Sequence, residues 1–201
     1  LSHALVQMGL GEIYQLRDFF NVDQHLRHYL RRIKRKTALL ISVSCQLGAQ
    51  VSQLSARDVH RMWLYGYYTG MAFQITDDLL DMTGDRQMTG KPQGSDIRQG
   101  NITIPLIYTL TLPGWQEQAV TLIRQIQTLT VPNGSAGISE ELDHVTDRLI
   151  RIVHQSGGIQ YAQQLADRYL AKAKQALNAF PPSREKERLL QVADAIAIRR
   201  Y

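Results

Sequence analysis

Asp77, Asp78 and Asp81 place three carboxylates within five residues, Asp77-Asp78-Leu79-Leu80-Asp81, at the end of an apolar run that begins at Gly70. On a helix, Asp77 and Asp81 stand at i and i+4, Asp78 and Asp81 at i and i+3, and Gln74 one turn earlier, so the four side chains share a broad face. Like charges so close repel one another and call for a cation. Asp is also a poor helix former, and carboxylates are disfavoured near the C-terminal end of a helix, which Thr83-Gly84 marks here. Folding stability alone would not select these residues. Carboxylate oxygens suit Mg²⁺, which keeps several waters and binds through one or two protein carboxylates plus substrate phosphates. The chemistry implied is a magnesium-diphosphate site. A solvated acidic helix end is the bland alternative. Phe73, Ile75, Leu79 and Leu80 interleave with the acids, and basic residues lie nearby in sequence, which weighs against it.

Helical periodicity dominates the elements that must carry these residues, and alternating strand-like segments joined by hairpin turns are nearly absent. The chain therefore reads as all-α. Helices are predicted over residues 1 to 19, 23 to 50 with a break near Arg32, 56 to 82, 102 to 111, 115 to 129, 138 to 156, 158 to 179 and 184 to 199. Ser55 is placed to cap the third, while Pro113-Gly114, Asn133 to Gly137, Gly157-Gly158 and Pro181-Pro182 punctuate the rest. The stretch from Gly84 to Gly100 is long and rich in glycine and charge, as functional loops often are. Beside the aspartate helix it reads as a lid that carries Lys91 toward phosphate and Asp96 toward metal-bound water.

With 201 residues and 44% hydrophobic content, the chain suffices for one domain or most of one. It begins at Leu1 in what reads as the middle of an amphipathic helix with no cap before it, so a fragment lacking its N-terminal part is expected. No secretory leader pattern and no uncharged run of membrane-spanning length occurs, which makes a cytoplasmic protein the default expectation. Cys45 is the only cysteine, so an intrachain disulfide and a thiolate metal cage are excluded; a buried helix position is expected for it. The six histidines show no zinc-binding pattern. A net charge of +5 and a pI near 9.4 favour anions as partners. The densest basic run, Arg27 to Lys36, carries Leu26, Tyr29, Leu30 and Ile33 at helical spacing, a buried stripe under a basic face. Such a face could meet a phosphorylated substrate or, transiently, an anionic membrane surface. No nucleic-acid-binding signature accompanies it.

Together these residues resemble a known family. Phe73 to Asp81, followed by Gly90-Lys91, Gly94-Ser95-Asp96 and Gly100 to Pro105, looks like the second aspartate-rich motif and following loop of trans-isoprenyl (polyprenyl) diphosphate synthases. Lys36-Thr37 and Gly11-Glu12-Ile13-Tyr14-Gln15 resemble two earlier motifs of that family, in the right order. The resemblance covers essentially the whole chain. Within the family, Arg31 to Leu40 and the Gly100 to Pro105 loop are most similar to the larger, catalytic subunits (component II) of two-component bacterial heptaprenyl synthases.

What the resemblance implies is an antiparallel helical bundle of the isoprenoid synthase type, of which residues 1–201 are the C-terminal portion of a single domain. In such enzymes an allylic diphosphate is ionised and extended by isopentenyl diphosphate, with Mg²⁺ as cofactor. By family position Asp77 would hold a magnesium ion, with Asp78 and Asp81 orienting waters or completing its shell. Lys36 and Lys91 would contact the allylic diphosphate. Thr37 and Gln74 would turn oxygens toward the allylic carbon, Phe73 would line the apolar pocket, and Arg200 in the basic C-terminal tail would close over phosphate. A heterodimer with a smaller regulatory subunit, and a long, heptaprenyl product destined for menaquinone side chains, are likewise implied. A class I terpene cyclase and a non-catalytic helical scaffold subunit are the alternatives.

Two departures stand out. Asn101 occupies a position where many relatives carry lysine, so one positive charge is absent. The family's first aspartate-rich motif is missing from these residues altogether. The 201 residues alone are therefore expected to show no prenyl transfer. Incorporation of radiolabelled isopentenyl diphosphate by the isolated chain checks this, and turnover there would contradict it.

Overall fold

The computed structural model describes residues 1–84, 93–130 and 137–198, with the backbone alone for 137–139. Lys91 and Arg200 lie outside the described residues. Every regular element among those described is helical: α1 (Ser2–Arg17), α2 (Leu26–Ile33), a π-helical turn (Lys34–Ala38), α3 (Leu39–Val51), α4 (Ala56–Thr83), α5 (Ser95–Arg98), α6 (Ile104–Leu110), α7 (Pro113–Thr130), α8 (Gly137–Gln155), α9 (Gly158–Leu177) and α10 (Arg184–Ile198). The all-α reading holds, and none of these helices is long and apolar enough to cross a membrane.

Local rules account for most boundaries. Ser55 caps α4: its Oγ accepts the Asp58 N–H at 3.2 Å and its hydroxyl donates to Asp58 Oδ2 at 2.7 Å. The buried positions of α7 are Ala119, Leu122, Ile123 and Ile126, and those of α9 run Ile159, Ala162, Ala166, Leu170, Ala173, Leu177. Steps of three and four residues keep one stripe of each helix against the core. Two expectations need correction. The break near Arg32 takes the form of a π turn that begins at Lys34, directly after α2 ends at Ile33, and Arg32 is buried rather than part of a basic face. Residues 84 to 100 do not read through as loop either, because Ser95–Arg98 closes a short helix after Gly94, whose φ of +73° is cheap only for glycine.

The chain divides into two compact units. The first comprises Leu1–Tyr14, Leu30–Asp77 and Gln164–Tyr201. Its core joins α4 to α9 and α10 through Ala72, Leu170, Ala193 and Ile196, with Phe73, Tyr169 and Ala197 packed on them. A second cluster forms around Tyr65, Ala173 and Leu177, and half-buried Cys45 leans on it, less enclosed than expected. The other unit comprises Gln15–Tyr29 and Asp78–Gln163. There, α6 is buried on nearly every face, and Gly158 begins α9 so close to it that a Cβ would stand 2.4 Å from the Pro105 carbonyl oxygen.

Tyr65 ties α4 to α10 within the first unit. Its side chain is 2% exposed, and its hydroxyl donates to the Leu189 carbonyl at 2.7 Å. Burial pushes the Tyr65 phenol up from 10.0 to about 12. The folded chain thus holds that proton where the unfolded chain releases it, so this contribution is intact below pH 10 and is lost as pH rises toward 12. Replacing Tyr65 by Phe is expected to cost about 1 kcal/mol at neutral pH and to flatten the alkaline loss of stability. Urea unfolding at pH 7, 10 and 11.5 reads both, and an unchanged alkaline slope would contradict the assignment.

Candidate active site

In the first unit, Lys36 and Thr37 sit on the π turn, where the Leu39 N–H bonds the Lys34 carbonyl five residues back. Such wide turns are uncommon and concentrate at functional sites. Its neighbours are glycines. A Cβ on Gly11 of α1 would lie 2.8 Å from the Lys36 nitrogen, and one on Gly70 of α4 would lie 2.7 Å from Ala38 Cα. One turn earlier on the same helix, a Cβ on Gly66 would lie 2.7 Å from the Ile41 carbonyl oxygen. Backbone therefore packs directly on backbone, and the segment bearing Lys36 and Thr37 is located to within a few tenths of an ångström on two sides.

That close approach brings two predicted residues together. Thr37 Oγ1 donates to Gln74 Oε1 at 2.6 Å, so a single proton lies between the two oxygens. The remaining lone pairs form a neutral, electron-rich spot. Lys36 Nζ stands 3.3 Å from Glu12 Oε1, and the Arg35 guanidinium covers the Tyr14 ring at 5.0 Å. Glu12 was visible in the sequence only as part of a motif, and nothing marked it as the partner of Lys36. Phe73 is half-buried against the α9 and α10 cluster, and Asp77 is exposed.

In the second unit, the other two aspartates have defined partners. Asp78 is 6% exposed, and its Oδ2 accepts the hydroxyl of fully buried Tyr29 at 2.5 Å. Asp81 Oδ2 accepts the Asp96 N–H at 3.0 Å, and the Asp81 carbonyl accepts the Gly94 N–H at 2.8 Å. Asn101, 3% exposed, donates from its backbone to the Asp96 carbonyl at 2.8 Å and from Nδ2 to Asp96 Oδ1 at 3.1 Å. Asp96 is thus a brace on Asp81, and Asn101 a brace on Asp96. Asp78 is buried and Asp81 half-buried in this unit. Tyr29 was legible only as an apolar-stripe residue.

Among the described residues, no three His, Cys, Asp or Glu side chains converge into a ready-made metal cage. A hard cation that retains its waters does not require one. Aspartate carboxylates, as at Asp77, are oxygen donors of the kind that suits Mg²⁺, so the residue type fits the ion.

The polyprenyl synthetase family model matches residues 1–130. The chain belongs to that family. Over all 201 residues the chain is 39% identical to heptaprenyl diphosphate synthase component 2 of Bacillus subtilis and of Geobacillus stearothermophilus, covering 53% and 58% of those proteins. It spans about half the length of the curated relatives it matches. Among solved structures, heptaprenyl diphosphate synthase from Staphylococcus aureus superposes with a TM-score of 0.85 at 33% identity, covering all of this chain and 58% of that one. A polyprenyl synthase from Caulobacter crescentus, complexed with calcium and isoprenyl diphosphate, superposes at 0.86 with 28% identity, again over all of this chain and 58% of the other. The fold is that of the all-α isoprenoid synthases.

The glycine contacts of the chain separate by substitution. Gly70→Ala forces two helix backbones apart and is expected to destabilise by about 1–3 kcal/mol. Gly48→Ala, where a Cβ meets nothing within 4 Å, is expected to stabilise by about 0.5–1 kcal/mol. Urea denaturation of both variants checks this, and equal effects would contradict it.

Proposed function

We propose that these residues are the C-terminal part of a trans-prenyltransferase domain that condenses an allylic diphosphate, such as farnesyl diphosphate, with isopentenyl diphosphate to a long-chain polyprenyl diphosphate. The observation that carries this reading is the Thr37–Gln74 hydrogen bond, set one turn before Asp77 on α4 in a chain of this family. Apolar side chains left exposed along α1, among them Val6, Ile13 and Leu16, support a larger domain around it.

Lys36 acts as a compact positive charge for the allylic diphosphate, and Lys91 does the same by resemblance. As the allylic carbon–oxygen bond breaks, its electron pair leaves with the diphosphate, where Lys36 steadies the growing negative charge. The paired oxygens of Thr37 and Gln74 present lone pairs to the carbocation, a stabilisation that attacks nothing and that water could not provide safely. The isopentenyl double bond then forms the new carbon–carbon bond, and a proton passes to the released diphosphate, so no separate basic side chain is needed. Asp77 and Asp81 would hold Mg²⁺, which when bound neutralises diphosphate charge. Phe73 lines the apolar part of the pocket, and Arg200 closes over phosphate.

The relatives named heptaprenyl diphosphate synthase component 2 support a second subunit and a heptaprenyl product, and by resemblance that subunit is smaller and the product serves menaquinone side chains. A cytoplasmic enzyme that touches the membrane surface to release so long a product is consistent with the basic composition.

The complete protein, with any partner subunit, is expected to incorporate radiolabelled isopentenyl diphosphate only when an allylic diphosphate is present, and Asp77→Ala is expected to lower turnover at least about a thousandfold. Products from farnesyl diphosphate alone would favour a cyclase. Full activity of Asp77→Ala would favour a scaffold subunit.

A further inference from the structure

The Thr37–Gln74 contact is one end of a longer groove. From it α3 and α4 run antiparallel with their backbones in contact, Ala38 at Gly70 and then Ile41 and Ser42 at Gly66. At the far end lies a cleft of about 660 Å³, a size within the range of small-molecule sites. Trp63, Val59 and Leu54 give it an apolar lining, and Gln46, Gln50 and His60 border it. Gln50 and His60 are exposed, so their polar groups stay in water while the lining offers apolar surface.

A column of aromatic rings leads along α4 to this cleft. Trp63 stacks on both His60 and Tyr67, with centroid distances of 6.2 and 5.5 Å and interplanar angles of 4° and 5°. Tyr67 meets Tyr68 edge-on at 5.3 Å, and Tyr68 lies tilted against Tyr169 of α9 at 6.3 Å. A second helix thereby braces the stack, and an indole flanked by two parallel rings keeps its rotamer. All of these residues belong to the first unit.

Helix geometry aligns the column with Gln74. Tyr67 precedes Gln74 by seven residues and Trp63 by eleven, which on a helix is within about 20° of the same side. At about 1.5 Å per residue, Trp63 stands about 16 Å along the axis from Gln74. A short prenyl diphosphate whose reacting carbon sits at Thr37 and Gln74 ends before the indole. A chain several units longer passes it and enters the cleft.

We propose that the groove between α3 and α4 seats the growing prenyl chain, and that Trp63 is a specificity-determining residue whose ring, with the cleft beyond it, holds the distal isoprene units and so helps to set product length. This rests on the transferase reading above. The stacked rings offer the tail a continuous apolar track. Room beyond Trp63 then decides how many units are buried before further growth pushes apolar carbon into water or against the amides of Gln46 and Gln50.

The test uses the complete protein with any partner subunit, supplied with farnesyl diphosphate and radiolabelled isopentenyl diphosphate, and separates the products by length. Gln50→Trp and Val59→Trp, which fill the cleft, are expected to shorten the longest product by an isoprene unit or more. Unchanged lengths in the folded variants would overturn the proposal. Fluorescence gives a second readout: with Trp63 as the sole tryptophan and the others replaced by Phe, emission is expected to shift to the blue with heptaprenyl diphosphate, at a concentration that inhibits turnover, and to stay unchanged with geranyl diphosphate. No shift with heptaprenyl diphosphate, or the same shift with both, sinks the proposal even where the cleft-filling variants fail to fold. If the unsubstituted enzyme incorporates no isopentenyl diphosphate, the transferase reading itself fails. If it elongates normally and neither readout responds, the Trp63 proposal alone fails.

Discussion

Mutual repulsion of three aspartates near the end of α4 is the constraint around which the described structure is arranged. Two unit charges at ~6 Å, with an effective dielectric of ~20, repel by on the order of 3 kcal/mol. The three have different surroundings: the Tyr29 hydroxyl is among the partners of Asp78, the Asp96 N–H among those of Asp81, and Asp77 is exposed. Two of these solutions recruit residues distant in sequence, and that recruitment determines the path of residues 18–29 and 93–102. The motif is thus a structural centre as well as the place where chemistry is proposed. Its exposed member is the one that no described hydrogen bond or ion pair engages.

The other requirement is positional. A neutral pair of oxygens can stabilise a short-lived carbocation only if it does not relax toward it late, and Thr37 and Gln74 belong to two segments held by backbone contact at Gly66 and Gly70. Glycine here is not a source of flexibility. In the middle of a helix it loses stability relative to alanine, and the loss is offset by contacts that no side chain would allow. The π turn completes the arrangement, since one wider turn carries Lys36 and Thr37 without ending the helical run.

Much of this was legible in the sequence, for physical reasons. Amphipathic spacing reports which stripe is buried, so α7, α9 and the all-α class could be read directly, and Ser55 announced its own cap. The acidic spacing pointed to a cation because it makes no sense as ordinary helix design. What escaped notice depends on partners far along the chain. Nothing local marks Lys34 as the start of a wide turn, because the glycines beside it lie on α1 and α4. Tyr29 scored as an apolar-stripe residue, since periodicity sees its ring and is blind to its hydroxyl. Asn101, which stands where a positive charge is expected, is also a buried support for Asp96, a long-range role that local sequence does not announce.

The most direct measurement is a crystal structure of the complete protein with Mg²⁺ and an unreactive allylic thiolodiphosphate. The account predicts that Asp77 would hold the ion beside the diphosphate, with the reacting carbon next to Thr37 and Gln74. An ion and diphosphate bound away from Asp77, or a reacting carbon away from Thr37 and Gln74, would contradict it.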